Sequence, residues 1–102
     1  MTSTDTRADV LVFGDEALIS VHGELDLFSL DVLREALADV APASRVVIDL
    51  QDVDFLDCAA LRFIEDTARR FAADSRTLRV EHASRLVNRL IELLKLDGLR
   101  VR

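Results

Sequence analysis

The run RVVIDL, residues 45–50, limits the fold more than any other stretch of the chain. It is nearly continuous in apolar residues, the pattern of a strand covered on both faces. A helix-patterned segment follows it, then a further strand-like run, then another helix pattern. Strands that alternate with helices are joined by crossovers, and crossovers build a largely parallel sheet.

The chain upstream adds a hairpin. VLVF (10–13) and ALISVHGEL (17–25) read as strands, with Gly14 and Asp15 supplying the turn between them. Ile19, Val21 and Gly23 alternate with Ser20, His22 and Glu24, which puts one face in and one face out. The hairpin makes the sheet mixed.

Three segments carry helical spacing. In 28–41, Leu30, Leu33, Leu37 and Val40 share a stripe and Pro42 ends the helix. In 58–73, Leu61, Ile64, Ala68 and Phe71 form the stripe. The third helix spans 84–96, with Ser84 as N-cap and Gly98 as its C-terminal stop. The strand 77–82 lies between the second and third helices, and residues 99–102 read as a short last strand. The expected architecture is α/β: a mixed, mostly parallel β-sheet with helices packed on one face. Residues 1–8 read as a disordered tail and 9–102 as one domain.

With 102 residues, half of them apolar, one core can be buried without disulfides or metals. The five aromatic residues are all phenylalanine, so that core is aliphatic. A net charge of −6 argues against nucleic acid as a partner. The single cysteine, Cys58, leaves no internal disulfide and fits a reducing cytoplasm. The polar start MTSTDTRAD has no apolar core of a signal peptide, and no run approaches membrane-spanning length. The expectation is a cytoplasmic protein that neither enters a membrane nor holds a cofactor or metal.

The corner VDFLDCAALRFI (53–64) joins strand to helix with small, mostly inert side chains. With Leu61 at the centre of the inward face, Ala59, Phe63, Asp66 and Arg70 fall on the opposite side. A large apolar Phe63 one turn beyond Ala59 makes a docking surface for a partner protein.

Three blocks resemble the STAS domain, named for sulfate transporters and anti-sigma factor antagonists. VHGELDLFSLDVLREAL (21–37) is similar to that family's strand ending in Gly-x-Leu-Asp and its first helix. VVIDLQDVDFLDCAAL (46–61) is similar to its apolar strand and its Asp-Ser-Ser-Gly-Leu corner. LRVEHASRLVNRLIELLKLDGL (78–99) is similar to its last core strand and helix. The resemblance implies a non-enzymatic regulator that occupies an anti-sigma factor, itself a serine kinase of the histidine-kinase-like ATPase type, and so frees a sigma factor. It implies a contact region of Asp26, Phe28, Ser29, Asp57, Cys58, Ala59, Ala60, Arg62 and Phe63. In regulatory relatives the second serine of the corner takes phosphate. Here Asp57 and Leu61 are kept, but Cys58, Ala59 and Ala60 replace the serines and glycine. Ala59 has no hydroxyl, so the usual switch is missing. The family also includes small subunits bound to the ATPase of phospholipid-trafficking ABC transporters, which supplies an alternative partner.

Other chemistry reads weaker. Cys58 at a helix start is a candidate redox thiol, opposed by the neighbouring Asp57. His22 and His82 show no triad spacing with it. Asp26 and Asp57 suit helix capping better than acid–base work. Ser29 is a candidate substitute phosphosite. The three glycines form no phosphate-cradling loop.

Overall fold

The computed structural model describes residues 6–96 and Leu99. The elements are β1 (Arg7–Phe13), β2 (Glu16–Leu25), α1 (Leu30–Asp39), β3 (Arg45–Leu56), α2 (Cys58–Ala73), β4 (Thr77–Glu81) and α3 (Arg85–Leu93). Among the described residues they form a four-stranded sheet in the order β1-β2-β3-β4. β1 and β2 pair antiparallel across the Gly14–Asp15 turn, with Phe13 opposite Glu16. Gly14 takes a φ of 58°, a left-handed value that a residue without Cβ adopts freely. β2 pairs parallel with β3, and β3 with β4, so Ile19, Ile48 and Val80 line one row.

The two crossovers step in the same direction along the sheet. With the usual right-handed turn, both helices then fall on one face. Burial follows that geometry. Ile19, Val21, Val46, Ile48 and Val80 are at most 1% exposed on the helix side. Leu18, Ser20, Val47 and Asp49 point the other way and are only half-buried. The expectation that 45–50 is covered on both faces is thereby corrected: β3 is central in the sheet but roofed on one side. Its open side is laced by charge pairs. Arg45 meets Glu16 at 2.6 Å, and His22 lies between Asp9 (3.1 Å) and Asp52 (3.3 Å), spanning β1 to β3.

The α2 stripe holds as expected, with Leu61, Ile64, Ala68 and Phe71 all buried. In α1, Leu30, Leu33 and Val40 are buried with Ala36, while Leu37 is only half-buried. Several boundaries differ from expectation. β1 starts at Arg7, inside the predicted tail, because its register with β2 runs to His22. β3 continues six residues beyond Leu50, since β2 remains alongside it to the Leu25–Leu56 pair. The pairing survives two register shifts, one at Gly23, whose φ is 93°. α1 begins at Leu30 rather than residue 28, because a turn built on Asp26 takes up Phe28 and Ser29. α3 is capped by Ser84 as expected, its hydroxyl accepting the Val87 amide at 3.1 Å, but it ends at Leu93. Gly98 and most of the predicted last strand (99–102) lie outside the described residues.

Candidate functional site

The carboxyl ends of β2 and β3 finish side by side and throw out two loops. One runs from Asp26 to Ser29 and enters α1. The other is Asp57 alone, which enters α2 directly.

Each loop is organised by its aspartate. Asp26 Oδ1 accepts the amides of Phe28 and Ser29, both at 3.0 Å. The Ser29 hydroxyl accepts the Asp26 amide at 2.9 Å and donates to the Glu24 carbonyl at 2.9 Å. This tight turn satisfies the backbone internally and turns two side chains outward. Leu27 is 59% exposed and Phe28 is 92% exposed. Asp57 N-caps α2, its Oδ1 accepting the Ala60 amide at 2.8 Å. Its Oδ2 accepts the Leu27 amide at 3.2 Å, so one carboxylate fixes both loops. The capping role expected for both aspartates is thus observed for Asp57 alone: Asp26 instead closes the turn before α1, whose N-cap residue, Ser29, makes no side-chain cap bond.

Around this corner Cys58 and Arg62 are exposed and Ala59 is half-buried. Two expected contact residues sit differently. Ala60 is fully buried, because its position one turn into α2 faces the core beside Leu61. It offers a partner no side chain. Phe63 does not stand free: it is half-buried and packed against the core, with the Arg34 guanidinium 5.0 Å from its ring centre. α1 lies close enough to α2 to cover what a lone helical wheel leaves outside. The exposed aromatic at this end is Phe28, joined by Phe55, which is 52% exposed near the end of β3.

Sequence reasoning missed Leu27, Phe55 and Leu86 as surface residues. Their signal was local excess. Leu25 and Leu30 already fill the core around Leu27 and Phe28, and Leu56 does so beside Phe55. Leu86 of α3 is 69% exposed. It helps to form a groove of about 360 Å³ between α3 and the corner, shared by Val53, Phe55, Asp57, Cys58 and Ser84. Neither histidine bonds to Cys58: His22 is held by Asp9 and Asp52, and His82 by Asp49 at 3.1 Å. Among the described residues no helix is long and apolar enough to cross a membrane.

A mixed sheet with helices on one face, ending in paired aspartate-built loops, defines a small α/β domain whose distinctive surface is the corner. The chain belongs to the STAS family: the family model described as "Mlab, STAS domain" matches residues 13–101. It is 30% identical over 95 residues to an anti-sigma-B factor antagonist of Bacillus subtilis (strain 168), covering 92% of this chain and 84% of that protein. It superposes with a TM-score of 0.80 on an anti-sigma factor antagonist from Mycobacterium paratuberculosis, at 25% identity over 99% of this chain and 89% of the other. The unphosphorylated form of the anti-sigma factor antagonist SpoIIAA shares the fold at 13% identity and a TM-score of 0.73, over 95% and 86% of the two chains.

Proposed function

We propose that this chain is a non-enzymatic, cytoplasmic regulator that binds an anti-sigma factor of the serine-kinase type through the corner and releases a sigma factor by competition. The observation that carries the reading is Phe28, 92% exposed on a loop pinned by Asp26 and Asp57. A phenylalanine held out on a rigid turn loses little conformational freedom on binding, which suits an interface anchor. Leu27, Phe55 and Cys58 extend the surface around it, and Arg62 borders it. Phe63 contributes by supporting α2 rather than by contact. The likeness to anti-sigma factor antagonists in sequence supports the partner class. With no hydroxyl at Ala59, binding at the corner escapes the family's usual phosphate switch.

The test is affinity capture from the native lysate on the immobilised chain and on Phe28→Asp, followed by calorimetry with what is recovered. The expected result is an anti-sigma factor ATPase on the wild type and its loss on the variant. Equal recovery on both proteins removes the corner from the interface. Recovery of an ABC-transporter ATPase instead replaces the sigma-factor reading.

A further inference from the structure

We propose that Ser84 is a phosphorylation site that regulates the docking surface, an inference that rests on reading the corner as a protein-binding surface. The groove between α3 and the corner is lined by Ser84 together with Phe55, Asp57 and Cys58. Position 59, where relatives' chemistry would act, carries only a methyl group.

Other hydroxyls near the corner are committed. Ser29 and Thr6 both donate to the Glu24 carbonyl, at 2.9 and 2.6 Å. Thr67 is buried and donates to the Phe63 carbonyl at 2.8 Å. Ser84 is exposed, and its oxygen only accepts, from the Val87 amide at 3.1 Å. Its proton has no acceptor among the described residues, so phosphorylation breaks no bond that the hydroxyl donates within the chain.

In the reaction Ser84 Oγ attacks the γ-phosphorus of ATP. The bond from that phosphorus to the β–γ bridging oxygen breaks, ADP leaves, and the hydroxyl proton passes to a base of the kinase. The product adds about −1.5 to −2 charges to the groove. Within α3 that charge is tolerated, because phosphate oxygens can cap the first-turn amides as the hydroxyl did. Toward a partner it is not, because the groove wall is apolar at Phe55 and Leu86 and already acidic at Asp54 and Asp57. Burying a dianion there brings desolvation and like-charge repulsion together.

Three forms of the full chain separate charge from capping: wild type, Ser84→Asn and Ser84→Asp. Serine, asparagine and aspartate cap helices comparably well. Incubation with ATP, magnesium and native lysate, then peptide mass spectrometry, is expected to place phosphate on Ser84 and none on Ser84→Asn. A wild type with no phosphate at Ser84 overturns the proposal. In titrations with the captured partner, Ser84→Asn is expected to bind like wild type and Ser84→Asp at least about tenfold more weakly, with coincident circular dichroism spectra. Equal affinity of Ser84→Asp overturns the regulatory role. If phosphate maps to Ser84 but the unmodified chain binds no partner, the docking reading falls and its regulation with it, while the modification site stands.

Discussion

The two oxygens of Asp57 serve two elements: Oδ1 accepts the Ala60 amide of α2 at 2.8 Å, and Oδ2 accepts the Leu27 amide of the neighbouring loop at 3.2 Å. The corner is therefore one rigid unit, and the Asp57 amide adds a third tie by donating to the Leu25 carbonyl at 3.3 Å. Removing the carboxylate strands one amide in the first turn of α2 and one in the Leu27 loop. Asp57→Ala is expected to cost about 2 kcal/mol in urea unfolding, from the lost cap and the lost loop tie. Asp57→Asn keeps the cap but turns an NH2 group toward the Leu27 amide, and is expected to cost about half as much. Equal losses for the two variants would show that the cap contributes nothing, and no loss in Asp57→Asn that the Leu27 contact contributes nothing.

Phe28 and Phe63 are expected to respond in opposite ways to the same substitution. Phe28 touches little of its own chain, so Phe28→Asp should leave stability within about 0.5 kcal/mol while weakening partner binding at least about tenfold. Phe63→Asp places a charge against the core and removes the ring beneath Arg34. It should lose roughly 1–3 kcal/mol of stability. Paired thermal melts and calorimetric titrations read both effects. A Phe63→Asp protein as stable as wild type would return that ring to the surface, where the sequence alone had placed it.

The Asp15 carboxylate accepts from both the backbone amide and the hydroxyl of Ser44, joining the hairpin turn to the start of β3. The Ser44 hydroxyl bond, and then its amide, hold the Asp15 carboxyl below its ordinary value of 3.8. A carboxyl depressed in the folded state favours folding above its unfolded value, and that contribution fades as pH falls through the folded value. Asp15→Asn should therefore be less stable than wild type at pH about 7, and the gap should narrow as pH falls below the ordinary value of 3.8. Urea midpoints on either side of that value measure it. A gap that persists unchanged into acid would assign the effect to geometry rather than ionisation.

The legible parts of this fold were those fixed by period. Ile19 and Val21 on one side of β2, and the 61–64–68–71 stripe of α2, follow directly from where their side chains must point. What stayed hidden depended on neighbours distant in sequence. Phe63 lies outward on its own helix but meets α1 and Arg34, a contact that no single-helix pattern encodes. β3 read as doubly covered because Val47 is apolar, yet its open-face neighbours Leu18 and Arg79 only half-shield it. β3's extension to Leu56 was obscured by polar residues at 51, 52 and 54, which the open face and the sheet end accept. In the candidate site, the role of Asp57 was readable from capping chemistry, whereas Asp26 bonds the turn ahead of α1 rather than the helix itself. The groove that Phe55 and Leu86 line was not readable, because it forms only when α3 folds back beside the corner.

Just past the C-cap of α2, Ser75 has a φ of 60°, a left-handed conformation that suits glycine. The turn itself is well bonded: the Arg76 amide reaches the Phe71 carbonyl at 2.8 Å, and the Arg76 guanidinium stacks 3.8 Å from the Phe71 ring centre. The backbone shape is thus set by its surroundings, and Ser75 bears the strain. Ser75→Gly removes the Cβ crowding of that conformation, at the expense of a freer unfolded chain. The balance at a C-terminal helix turn favours glycine, and a gain of about 0.5–1 kcal/mol is expected. Ser75→Val, branched at Cβ, should lose at least as much. Because Ser75 lies at the end of α2 away from Asp57, partner affinity should be unchanged in both variants. A glycine variant less stable than wild type would mean that the freer unfolded chain outweighs the relief of strain.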